Sequence, residues 1–251
     1  MTTRRLVLYT KPAVPGRVKT RLVGALTAEQ ASELHRAFLE DVSHRLEEAA
    51  RGGAFELWSA WAVEPGEELP NGPGRPVRQA GGGLGERLYR GLSRAATAEG
   101  GAAAVAALGS DHPTVRAELV REAFARVEGG ADAVLGPSDD GGYYLIALAP
   151  GAVRREVFAR IDWSTERVLA QTLGRLQELD LAVELLAEGR DVDTPEDLQR
   201  LARELAAEPE AAALCPRTRD LLASWNLFPA PSRPAAAVPP GPVEPAEPVE
   251  P

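Results

Sequence analysis

The chain is poor in several things that would have given it an obvious class. It has a single cysteine, Cys215, so neither an internal disulfide framework nor a multi-cysteine zinc site can be built. No apolar run approaches the ~20 residues needed to cross a bilayer. The start, MTTRRLVLYTKP, has only a short apolar stretch broken by Lys11 and Pro12, which reads as a first strand rather than a signal-peptide core. Basic charge is also short: 28 Lys and Arg face 37 Asp and Glu, a net charge of −9. Such a surface repels nucleic acid and anionic membrane, although a local basic pocket for a small anion stays open. No internal repeat is evident, and no G-x-x-x-x-G-K-[ST] phosphate loop is present. A cytoplasmic protein of one main domain is the expectation.

What is there is ordinary in bulk and particular in pattern. A hydrophobic fraction of 44% and a charged fraction of 26% over 251 residues suffice for a real core. The last 23 residues differ: Pro229 to Pro251 holds nine prolines and no aromatic residue. Proline fixes φ and removes backbone donors, so 229–251 is read as a disordered, partly polyproline-like tail on a domain of residues 1–228.

Within 1–228, strand-like and helix-like segments alternate. Strands are expected at 5–10, 55–61, 102–109, 131–136, 143–148 and 182–186. Helices are expected at 27–50, 85–100, 114–127, 165–178 and 195–207, with a Gly/Pro-rich loop at 64–76. Thr27 and Gln30 have the spacing of a capping box, and Leu34, Phe38, Val42 and Leu46 share one helical face. The alternation predicts an α/β three-layer sandwich with a mostly parallel mixed sheet.

In such sheets ligands bind beyond the C-terminal ends of the strands, so the loops there carry the chemistry. The first, Thr10 to Leu22, sets Lys11, Arg17, Lys19 and Arg21 around Gly16 in an otherwise acidic protein. Glycine lets backbone N–H groups approach an anion, and the cations can clamp phosphate oxygens. The second, GSDHP, puts Asp111 just past a buried strand, placed either to hold a hard cation or to cap the next helix. The third, GPSDDGGYY, carries Asp139 and Asp140 before Gly141 and Gly142; it reads as a substrate-facing turn with a candidate base, or as a plain hairpin turn. The fourth, DVDTPEDL, has Thr194 and Asp197 spaced as a helix start. That leaves Asp191 and Asp193 as a second carboxylate arm. A weaker signal is QAGGGLGERL, where Gln79 and the glycines up to Gly83 could lie under a flat base.

The series K-P-x-x-x-G-x-V-K-T-R-L, Q-x-G-G-x-L-G-E-R-L, G-S-D-H-P, G-P-S-x-D-G-G-Y-Y-L, I-D-W-S and D-V-D-T-P-E-D-L, in that order over residues 5 to 205, resembles a bacterial glycosyltransferase-A-like family associated with radical-SAM and selenodomain proteins. It is more distantly similar to the phospholactate guanylyltransferases. The resemblance implies a nucleotide-diphospho-sugar transferase fold, a nucleotide donor, a small acceptor, and Mg²⁺ or Mn²⁺ held by Asp111 with Asp193 or Asp191. It places Lys11, Arg17, Lys19 and Arg21 in a phosphate loop. It places Gly141, Gly142 and Tyr143 toward the acceptor. Tyr143 and Tyr144 stand where those guanylyltransferases carry Thr-Asn, which points away from a phospholactate-like acceptor. The expected activity is a metal-dependent transfer from a nucleotide donor, with Asp111, Lys19 and one of Asp139 or Asp140 in catalytic places. The alternative is a catalytically silent nucleotide-binding or scaffold protein.

Overall fold

The first strand, β1 (Arg4–Thr10), is apolar through its middle, from Leu6 to Leu8, where both of its faces are covered. Leu6 and Leu8 point to one side and Val7 to the other, all fully buried. The computed structural model describes residues 3–228; the proline-rich segment 229–251 lies outside the described residues. In chain order β1 is followed by α1 (Ala28–Arg51), β2 (Glu56–Trp61), β3 (Arg75–Arg78), α2 (Leu84–Thr97), β4 (Ala104–Gly109), α3 (Ala117–Glu128), β5 (Ala133–Pro137), β6 (Tyr143–Leu148), α4 (Val168–Glu178), β7 (Val183–Leu185), α5 (Pro195–Ala207), α6 (Pro209–Leu214) and α7 (Pro216–Ser224).

The strands form one seven-stranded sheet in the order β3-β2-β1-β4-β6-β5-β7. Only β6 runs antiparallel to its neighbours, β4 and β5; the other pairs are parallel. On one face Leu6, Leu8, Leu108 and Leu145 pack against Val42 and Leu46 of α1 and Phe124 of α3. On the other, Val7, Trp58 and Ile146 pack against Leu88 and Leu92 of α2 and Leu176 of α4. These are the two helical layers of the expected sandwich. A third cluster joins Leu34 and Phe38 of α1 to Leu198 and Leu201 of α5 and Leu222 of α7. It fastens the C-terminal helices to the first one.

Several helix boundaries follow local chemistry. The Thr27 hydroxyl accepts the Gln30 N–H at 3.2 Å while Gln30 Oε1 accepts the Thr27 N–H at 2.9 Å, a complete capping box. Thr194 and Asp197 form a second box, with Pro195 in the first turn of α5. Three differences from the sequence expectation stand out. The segment 64–76 is not all loop: its end begins the edge strand β3, where Pro76 is tolerated because an edge position needs fewer ladder bonds. α4 begins at Val168 rather than 165, since Ser164 takes a left-handed backbone with φ +66° that a helix start excludes. The short helices α6 and α7, each opened by a proline, have too few turns to show a periodic pattern. No helix among the described residues is long and apolar enough to cross a membrane.

Candidate active site

From β1 the chain reaches β2 and then β3 on one side, while β4 lies on the other, so the strand order reverses between β1 and β4. A crevice opens at such a point beyond the C-terminal strand ends. Here it is a cleft of about 780 Å³. Its floor is tied together by two bonds between the strand ends. The Ser110 N–H donates to the Tyr9 carbonyl at 3.2 Å, and the Ser110 hydroxyl donates to Thr10 Oγ1 at 3.1 Å.

Three of the predicted residues meet at this floor. Lys19 Nζ donates to Asp111 Oδ1, to Asp193 Oδ1 at 3.0 Å and to the Val192 carbonyl at 2.8 Å. The Val192 N–H in turn donates to the Asp111 carbonyl at 3.0 Å, locking the fourth loop onto the second. The Lys19 side chain is 2% exposed, whereas those of Asp111 and Asp193 are 43% and 42% exposed, so the carboxylates face the cleft and the ammonium lies behind them. Burial works against the Lys19 ammonium, but the two carboxylates outweigh it and raise its pKa above the ordinary lysine value. Burial likewise pushes against Asp111, and the neighbouring Lys19 more than compensates, holding Asp111 below the usual carboxylate range. Asp191 lines the same cleft and has no ion-pair partner among the described residues. Burial, and then the negative charge of Asp111, push its pKa up to about 8.

The other sequence-predicted residues divide. Lys11 and Arg21 line the cleft, exposed, with no ion-pair partner among the described residues. Arg17 also lines it, but its guanidinium is paired with Glu67 at 2.7 Å and Glu64 at 3.1 Å, so it is not the free phosphate clamp the sequence suggested. Lys19 is a correction of the same kind: it lies within the phosphate loop, yet its three donors are spent on Asp111, Asp193 and Val192. Gln79 donates from its amide to the carbonyls of Ala60 at 2.9 Å and Thr10 at 3.2 Å, so it clasps β1 to β2 and keeps only its oxygen toward the cleft.

Asp140, Gly142 and Tyr143 reach the cleft; Gly16, Gly83, Gly141 and Asp139 do not line it. Asp139 turns instead to Arg200 at 3.3 Å and Arg190 at 3.9 Å, which removes it as a candidate base. Asp140 Oδ1 accepts the Gly142 N–H at 2.9 Å, steadying the turn between β5 and β6. Gly141 has φ +84°, and a Cβ there would stand 2.2 Å from the Glu166 carbonyl oxygen. Only glycine lets this turn press against the 163–168 segment. Gly83 is the N-cap of α2.

Some cleft residues escaped the sequence reading. His35 sits on the buried face of α1 one turn before Phe38, and its Nε2 lies 3.0 Å from the Lys11 carbonyl, fixing the start of the basic loop. On the 27–50 helix, with no second histidine at ligand spacing, it gave no sign of this in the sequence. Arg87 reaches the cleft from α2, with Nε donating to the Gly82 carbonyl at 2.9 Å. Trp163 of the I-D-W-S motif, which the sequence did bring forward, lines the cleft and stands edge-on to Tyr143 with ring centroids 6.4 Å apart. Tyr144 lies beneath, threaded between Gly136 and Gly189 and meeting His112 edge-on at 4.8 Å. Through His112 it packs against the Asp111 loop, and it also lines the cleft.

Among the described residues no group of three or more His, Cys, Asp or Glu side chains is gathered closely enough to hold a metal ion by itself. Magnesium does not need one, since two carboxylates with donor phosphate oxygens are a favoured set. Asp111 and Asp193 direct hard oxygens to one point, and with Asp191 they outnumber the single ammonium behind them. The donor set fits a divalent cation.

Comparison with known proteins agrees with this architecture. A family model described as an uncharacterized protein conserved in bacteria (DUF2064) matches residues 59–165. Among solved structures, a protein put forward as a nucleotide-diphospho-sugar transferase from Desulfovibrio desulfuricans G20 superposes with a TM-score of 0.77 at 29% identity, covering 90% of this chain and 99% of that one. The fold is that of the nucleotide-diphospho-sugar transferases. A cytidylyltransferase from Leptospira borgpetersenii serovar Hardjo-bovis (strain JB197) shares it more loosely, with a TM-score of 0.50 and 11% identity over 91% of this chain and 97% of that one. No curated protein matches.

Proposed function

We propose that the protein is a transferase that takes a nucleotide donor, with Mg²⁺ or Mn²⁺, and passes one part of it to a small acceptor. The observation that carries this is the convergence of Asp111 and Asp193 at the switch point, beside Lys11 and Arg21, which have no ion-pair partner among the described residues. The similarity to the Desulfovibrio protein supports the same reading.

Lys11 and Arg21 hold donor phosphates, an electrostatic task suited to a point charge and a planar fork. Asp111 and Asp193 are the residues that would hold the divalent ion, which when bound supplies charge neutralisation of the departing phosphate. Asp140, exposed at the cleft and already oriented by the Gly142 N–H, accepts the proton of an acceptor hydroxyl. Tyr143 and Trp163 wall the acceptor side. In a nucleotidyl transfer the acceptor oxygen attacks the α-phosphorus and pyrophosphate leaves. In a glycosyl transfer it attacks the anomeric carbon and a nucleoside diphosphate leaves. In either case catalysis is chiefly positioning and electrostatic stabilisation.

The test is incubation with Mg²⁺ and a panel of nucleoside triphosphates and nucleotide sugars, followed for pyrophosphate and nucleoside diphosphate. Metal-dependent release of either product from one donor class is expected. Donor binding seen by calorimetry without any release across the panel would favour a silent nucleotide-binding protein instead.

A further inference from the structure

The chain contains 28 basic residues, and only two of them, Lys11 and Lys19, are lysines. Arginine serves at every other position, including every other basic partner in the ion pairs of the described residues apart from His44. Both lysines lie in the loop that follows β1. At position 19 an arginine would not serve: the planar five-donor guanidinium cannot converge on one point as a three-donor ammonium does. Nζ has three acceptors there and all three of its donors are used, by Asp111, Asp193 and Val192. The side chain is 2% exposed, and Nζ stands 5.5 Å from the centroid of the Phe38 ring, a further favourable contact for a cation. The backbone at Lys19 is left-handed with φ +47°, a conformation that costs a residue with a Cβ, and although Lys19 is the N-cap of the short turn that follows, its side chain makes no cap bond there.

We propose that Lys19 is the resident cation of the acidic site: its ammonium holds Asp111 and Asp193 in register in the empty enzyme, and is released from them when a divalent cation takes the same carboxylates. This rests on the metal-dependent reading above and adds to it a positioning role for Lys19. The ground is that both carboxylates already spend an oxygen on one point, and that point is filled by Nζ. A divalent ion drawn to those carboxylates from the cleft would stand close enough to Nζ for the two positive charges to repel. Lys19 therefore does two things. It prevents the two carboxylates from repelling each other apart before the metal arrives, and it sets a threshold that metal binding must exceed. Released from the carboxylates, the ammonium keeps its bond to the Val192 carbonyl and has two donors to spare.

The scarcity of lysine makes the test direct. Besides the two lysines, the only other primary amine is the chain's own N-terminus, so acylation with acetic anhydride followed by mass spectrometry reads Lys19 against Lys11 within the intact protein. Without divalent cation Lys11 is modified readily and Lys19 is protected. With saturating Mg²⁺, binding being followed by calorimetry, the Lys19 rate is expected to rise about tenfold or more, while Lys11 stays within about twofold. Mg²⁺ binding with Lys19 still protected overturns the inference and leaves the metal-dependent reaction standing. In parallel, Lys19→Met removes the competing charge and keeps the stem. It is expected to lower the thermal midpoint of the metal-free protein and to bind Mg²⁺ about tenfold more tightly than the wild type. Weaker or unchanged Mg²⁺ binding by Lys19→Met overturns the inference. Absence of Mg²⁺ binding by both proteins overturns it together with the metal part of the proposed reaction. Should Lys19→Met fail to fold, the acylation measurement on the wild type decides alone.

Discussion

The Val192 N–H donates to the carbonyl of Asp111 at 3.0 Å. This backbone bond joins the two loops that carry the acidic residues, and it does not involve either carboxylate. Asp111→Ala therefore leaves the alignment of the loops in place. We expect turnover to fall about 100-fold or more with circular dichroism unchanged. Assay and thermal melt of the same preparation check both halves. Full turnover in this variant would remove Asp111 from the reaction.

The neighbouring carboxylates of the β5–β6 turn separate by environment. Asp139 is engaged by Arg200 and Arg190, whereas Asp140 faces the cleft with only Oδ1 bonded, to the Gly142 N–H. Asp140→Asn keeps that bond and removes the proton acceptor, so kcat falls about 100-fold or more. Asp139→Asn stays within about twofold. Kinetics of the pair distinguish the base directly.

The basic loop gives an ordering of effects. Lys11 and Arg21 have no ion-pair partner among the described residues, while Arg17 is held by Glu64 and Glu67. Lys11→Ala and Arg21→Ala are each expected to raise the donor KM about tenfold or more. Arg17→Ala is expected to change it by less. Equal losses for all three would mean that Arg17 leaves its glutamates when the donor binds.

How far the sequence carried this account differs from element to element. β6, α5 and the cap of α1 were legible to the residue, because each has a strong local signal: an apolar run, a Thr-Pro start, a Thr–Gln box. The pairing of Asp111 with Asp191 or Asp193 was legible as a proposal, because both loops follow predicted strands, and the family resemblance put Asp193 first with Asp191 as its rival. Their common partner was not. Lys19 looks like any other loop cation until the fold buries it, and burial is a property of α1 and α5 closing over the loop. His35 was hidden for the opposite reason, since its helical spacing is that of a core residue and its partner is a distant carbonyl. The edge strand β3 was hidden by its proline.

Gly141 offers a test of the turn itself. With φ +84° and the Glu166 carbonyl oxygen 2.2 Å from where a Cβ would stand, Gly141→Ala must displace backbone. A loss of about 2 kcal/mol or more in urea unfolding is expected. An unchanged midpoint would show that the turn and the 163–168 segment do not pack as described.

Cys215 gives a pH-dependent prediction away from the site. Its thiol is fully buried and donates to the Pro113 carbonyl at 3.1 Å, and burial pushes its pKa up to about 12. The neutral thiol is thus the form the fold favours. Its contribution to stability is complete below the unfolded thiol pKa of about 8.5 and is lost as pH rises from there toward the folded value. Cys215→Ala should flatten the alkaline fall in thermal midpoint expected of the wild type. At pH 8 the native thiol should also resist a thiol-specific reagent and react only on denaturation. Rapid reaction in the folded protein would contradict the burial.

The most direct test of the whole account is the position of a metal ion. Crystals soaked with Mn²⁺ and a nucleotide of the donor class, measured by anomalous scattering, should show one ion with oxygens of both Asp111 and Asp193 at about 2.1 Å and donor phosphate completing its shell. An ion bound elsewhere, or nucleotide phosphates seated away from Lys11 and Arg21, would contradict it.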